Sequence, residues 1–164
     1  MSFETRSARL WKRLSREERL AAAARFFEQP STDLLGNADA AIMRARRLRP
    51  QVARGLPPEE KARVLATVLD PDEALASALV VALHLGERRG LLVAFLDSLG
   101  LAHEEGVLTE EGEASPIAED DARRAVTALA TAFPRAEVLT YLNALWLQDP
   151  DRWGVLERAP DWLG

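Results

Sequence analysis

ALASALVVALHL, residues 74–85, is the longest apolar run in the chain, and its reading decides the fold. Its twelve residues fall short of the roughly 20 that a membrane-crossing helix needs, and Ser77 and His84 interrupt it. Pro71 and Asp72 start the segment as a helix that ends near Leu85, with hydrophobic side chains on nearly all sides. A helix apolar all round belongs inside a protein. The stretch therefore reads as the central buried element of an all-α fold.

Working outward from it, the neighbouring segments read as helices with clear punctuation. Ser15 followed by Glu18 is a capping-box pattern, in which the serine oxygen and the glutamate each satisfy a backbone N–H of the other. The helix it opens runs through Leu20, Ala24 and Phe27 and stops near Gln29, ahead of Pro30. Ala8, Trp11 and Leu14 mark a short helix before it. Pro57 and Pro58 introduce EEKARVLATVL, with acids in the first turn where the helix dipole favours them.

On the C-terminal side, Leu91, Leu92, Phe95, Leu96 and Leu99 share one face, and Gly100 followed by Leu101 has the pattern of a left-handed helix stop. Residues 103–118 keep no period and read as a loop, with a short extended piece at Val107 and Leu108. Helices resume over 119–133 and 134–147, and a last turn falls around 153–158. The expected architecture is a single all-α domain, 1–164, of about six to eight helices packed as antiparallel hairpins. The similar segments ATVLDPDEAL (66–75) and ATAFPRAEVL (130–139) suggest two related hairpins, though ordinary helix–turn–helix grammar produces the same order.

Charge divides the chain. Residues 1–63 hold 14 Arg and Lys against 8 Asp and Glu, whereas residues 64–164 hold 7 against 18. Such a division points to an anionic partner or to complementary self-association. Its densest feature is IMRARRLRPQVAR (42–54), with five arginines in thirteen positions. A helix over 38–49, capped near Asn37, carries Ala38, Ala41, Ile42, Ala45 and Leu48 on one stripe. At 100° per residue Arg44 and Arg47 fall opposite that stripe, Arg46 on a flank and Arg49 near its edge. With Arg54 and the basic residues from Arg6 to Arg19, they make a positive surface for phosphates if the two helices face the same way.

Several chemistries lack their residues. The chain has no cysteine, and its two histidines, His84 and His103, stand nineteen residues apart with no zinc-binding spacing. No P-loop, dinucleotide fingerprint, nucleophile elbow or EF-hand spacing is present. His84 reads as a packed core histidine. His103, in a loop with acidic neighbours, is the better candidate for a reactive group. Eight acids between Glu104 and Asp121 read as a solvated loop and helix start. In the tail, 146–164, the favoured reading is that Trp146 completes the core and the tail folds back to cap it, and the alternative is that Trp153 and Trp162 with Leu163 are apolar anchors for a partner.

The leading expectation is a cytoplasmic, non-enzymatic protein-interaction or self-association module with no metal, cofactor or membrane attachment. Its candidate surfaces are Arg44, Arg46, Arg47 and Arg49, and Trp153 and Trp162. One alternative is a nucleic-acid-associated protein contacting phosphates through the arginine helix 38–49. A second is an enzyme with a site near His103.

Overall fold

The structure, a computed structural model, describes residues 2–30 and 32–164. The fold is all-α, with one two-stranded hairpin, and the helices group into two compact units: residues 6–87, and residues 88–164 together with the first five. Twelve α-helical segments are present among the described residues, more than the six to eight expected. The surplus consists of helices of four to six residues that act as turns between the longer ones.

The first unit comprises α1 (Ser7–Arg13), α2 (Arg16–Glu28), α3 (Thr32–Arg46), α4 (Pro50–Gly55), α5 (Pro58–Leu65) and α6 (Glu73–Gly86). The apolar run is α6, and it packs against α1, α2 and α3. Leu75, Leu79 and Leu83 are fully buried on it, each contributing about 1.5–3 kcal/mol of hydrophobic stabilisation. Asp72 caps it by accepting from Leu75 N–H at 3.0 Å. The next residue, Glu73, reaches α1, where its carboxylate accepts from the N–H groups of Ser7 and Ala8. Arg6, the residue that caps α1, offers no side-chain acceptor, so α6 supplies one. His84 is buried, with Nδ1 at 2.8 Å from the Val80 carbonyl in its own helix.

The Ser15–Glu18 capping box forms with both of its hydrogen bonds. The inward face of α2 is Ala22, Ala23 and Phe26, one position earlier in phase than the expected Leu20, Ala24 and Phe27. Arg19 lies across the junction of three helices, with Nε donating to the Ala66 carbonyl and Nη1 to the Leu14 carbonyl.

The second unit comprises α7 (Arg89–Ser98), strands β1 (His103–Glu104) and β2 (Val107–Leu108), then α8 (Glu110–Ala114), α9 (Glu119–Ala132), α10 (Arg135–Gln148), α11 (Pro150–Trp153), a 3-10 turn (Gly154–Arg158) and α12 (Ala159–Trp162). Its core gathers Phe95, Tyr141 and Trp153, with the Phe95 ring edge-on to Tyr141 at 5.6 Å and tilted against Trp153 at 5.9 Å. The expected stop after α7 is present in full. Gly100 has φ of 66°, its N–H bonds the Asp97 carbonyl, and Leu101 N–H bonds the Leu96 carbonyl.

The N-terminal residues belong to this unit. Asn143, buried on α10, accepts from Glu4 N–H at 2.8 Å and donates to the Glu4 carbonyl at 3.0 Å, while Phe3 packs on Trp146. The two similar segments do not form matching junctions. Seven residues separate α5 from α6, and only Phe133 and Pro134 separate α9 from α10.

Candidate interaction surface

The arginine segment is not one helix. It begins earlier than expected, at Thr32 among the described residues, so Asn37 lies inside α3 and donates from its amide to Asp72. It also stops earlier, after Arg46. Arg47 takes a left-handed conformation with φ of 53°, and Leu48 N–H closes back onto the Met43 carbonyl. That is the geometry of a helix stop normally made with glycine. Arg49 then becomes the residue that caps α4, with no side-chain hydrogen bond to the helix it opens, and Pro50 follows as its first residue. Ala38, Ala41 and Ile42 are buried as expected, whereas Ala45 is exposed.

All four candidate arginines, Arg44, Arg46, Arg47 and Arg49, are exposed, as is Arg54 on α4. Their guanidinium groups have no hydrogen bond or ion pair among the described residues. Other bases behave differently. Lys61 pairs with Asp39 at 3.0 Å, and Arg19 is turned inward and leaves the basic surface. Arg44 and Arg46 in the last turn of α3 complement its dipole. Arg49 sits at the opposite, positive end of α4, where a cation is disfavoured.

Of the tail tryptophans, Trp153 is 3% exposed and offers no area to a partner. Proline at the start of α11 and the Asp149 cap turn the chain so that Trp153 enters the core beneath Arg152, whose guanidinium lies 5.3 Å from the ring centre. Arg152 also donates to the carbonyls of Gly112 and Glu113, tying α11 to α8. Trp162 is half-buried, and Arg135 holds the chain end after it through the carbonyls of Leu163 and Gly164. The tail thus folds back onto its own unit.

The expected loop at 103–118 contains the β-hairpin. Glu105 and Gly106 form its two-residue turn, with φ of 49° and 89°, and a side chain at Gly106 would collide with Leu92. His103 locks the turn in place. Gly106 N–H donates to its Nδ1 at 3.2 Å, so in the neutral ring Nε2 carries the hydrogen and donates to Asp97 at 2.7 Å. Both nitrogens have hydrogen-bond partners within the fold. No group of three His, Asp or Glu side chains suited to a metal exists among the described residues, and among them no helix is long and apolar enough to cross a membrane.

The known proteins place no constraint. No protein-family model, no curated protein and no solved structure matches this chain.

The acids complete the surface. In the second unit 15 Asp and Glu face 7 Arg, and in the first 11 face 14 Arg and Lys, so the sign of charge follows the structural division. Glu104, Glu110, Glu111 and Glu113 are exposed in and just after the hairpin. Sequence reasoning missed two apolar residues set among these charges: Val52, between Arg49 and Arg54, and the cross-strand partner of Glu104, Val107. The signal for Val52 was available, as a valine in a six-residue proline-led helix with no second apolar residue on its side.

Proposed function

We propose that this protein is a non-enzymatic interaction module, binding another copy of itself or an acidic protein through the arginine surface at the end of α3 and the start of α4. One observation carries the reading. Four exposed guanidinium groups without internal partners occupy a segment where two of them, Arg47 and Arg49, stand at positions whose local preference is for glycine and for a small polar cap. Residues that stand against local preference are expected at functional or strained sites. The acidic second unit supplies the complementary sign for self-association.

The same arginines can neutralise phosphates, so the test separates the two partners. Protein purified at low salt without nuclease is weighed by native mass spectrometry, as the parent chain and as the double variant Arg44→Glu with Arg47→Glu. The expected result is a multiple of 18.1 kDa, or added polypeptide, that disappears in the variant and at raised salt while the melting temperature is unchanged. Added mass removed by nuclease would transfer the surface to nucleic acid. A monomer at every salt concentration, with nothing bound, would end the proposal.

A further inference from the structure

Val107 and Val52 are the most exposed large hydrophobic side chains among the described residues, at 51% and 50%. Each has charged residues near it in the chain, mostly basic around Val52 and mostly acidic around Val107. Val52 follows Arg49 by three residues and precedes Arg54 by two, on the short helix that packs on α3. Val107 lies opposite Glu104 on the outward face of the hairpin, while His103 and Leu108, the other pair of the ladder, are partly buried. Glu110, Glu111 and Glu113 follow on α8. Val107 is thus an exposed apolar residue with acidic residues near it in the chain, and Val52 is one with arginines near it in the chain. A small dry centre inside a polar rim is the usual anatomy of a protein interface.

We propose that the hairpin of one copy docks on the α3–α4 surface of a second copy, with Val107 against Val52, and with Glu104 and the α8 acids against Arg44, Arg46, Arg47 and Arg49. The proposal rests on the self-association reading given above. An exposed valine in the acidic unit and another in the basic unit of the same chain favour a second copy as the occupant. A nucleic acid backbone provides nothing apolar to cover Val52. The hairpin is also held rigid before docking. Gly106 closes a two-residue turn against Leu92, His103 bridges Asp97 and the turn, and Arg89 holds Glu105 at 3.0 Å. Little conformational freedom remains to be lost on association.

The experiment uses the full chain at low salt, with sedimentation velocity as the readout. Glu104→Lys and Val107→Lys alter the hairpin, and Arg49→Glu and Val52→Glu alter the receiving surface. All four positions are exposed, and helical circular dichroism confirms that each variant folds. Each is expected to weaken self-association about tenfold or more. Mixing the Glu104→Lys and Arg49→Glu proteins is expected to restore association, since the intact hairpin of one meets the intact arginine surface of the other. If the parent chain associates and Arg44→Glu with Arg47→Glu abolishes this, yet both hairpin variants associate normally, the hairpin is not the occupant and only the arginine-surface reading survives. A parent chain that never associates overturns the hairpin docking and the self-association reading on which it rests.

Discussion

Arg47 is where the local preferences of the backbone and the distribution of charge disagree most. A left-handed conformation costs an L-residue roughly 1–2 kcal/mol, because its Cβ crowds the following carbonyl, and glycine escapes that cost. The φ of 53° at Arg47 therefore makes a prediction in which stability and association move oppositely. Arg47→Gly should stabilise the protein by on the order of 1 kcal/mol, after glycine's greater freedom in the unfolded chain is deducted. It should also weaken low-salt association. Arg47→Ala removes the same charge but keeps the strained conformation, so it should weaken association without the gain. Urea unfolding followed by circular dichroism reads the difference. Equal stabilities for the glycine and alanine variants would show that the helix stop imposes no cost on arginine.

Among the elements, the segment at residues 2–5 has the least conventional anchor. Asn143 uses its amide as one link of a β-ladder, satisfying both the N–H and the carbonyl of Glu4. Asn143→Ala removes both bonds at once, and with the Glu4 backbone able to reach water the loss should be about 1 kcal/mol. Its local sign is faster amide hydrogen exchange over residues 3–5, with α7 and α9 unaffected. Protection at Glu4 surviving in the variant would mean that Phe3 on Trp146 holds the segment by itself.

How far such elements could be read from sequence depended on how local their determinants are. The Ser15 capping box, the Gly100 stop and the helix at 73–86 are set by residues within one turn of each other, and all three were legible. The break after Arg46 was not, because arginine and leucine favour a helix and the stripe Ala38–Ile42 extends formally to Leu48. The hairpin was half legible. Val107 and Leu108 gave an extended signal, but Glu105–Gly106 is a weaker turn signature than asparagine or aspartate before glycine, and the pins from Asp97 and Leu92 come from another element. For the candidate site, the exposure of Arg44 and Arg47 was legible, whereas the break that separates Arg47 and Arg49 from α3 and the inward turn of Arg19 and Trp153 depended on packing that no spacing encodes.

Over the whole molecule the buried aromatic core sets a limit at high pH. Tyr141 is the chain's one tyrosine, and burial pushes its phenol far above the ordinary value near 10. Below about pH 10 the phenol is neutral in folded and unfolded chains alike, and its ionisation adds no pH dependence to stability. Above that, the unfolded chain ionises while the folded chain keeps its proton, so the unfolded state binds fewer protons and stability falls as pH rises. The melting temperature should therefore drop steeply between about pH 10 and pH 12. Tyr141→Phe keeps the edge-on packing against Phe95 and removes the ionisation, so its decline over the same interval should be shallower. General repulsion among the acids is common to both proteins and cancels in the comparison. Tyrosinate absorbance supplies the check. It should appear together with the loss of helical circular dichroism, and tyrosinate forming in a chain that is still fully helical would show that the phenol reaches solvent without unfolding.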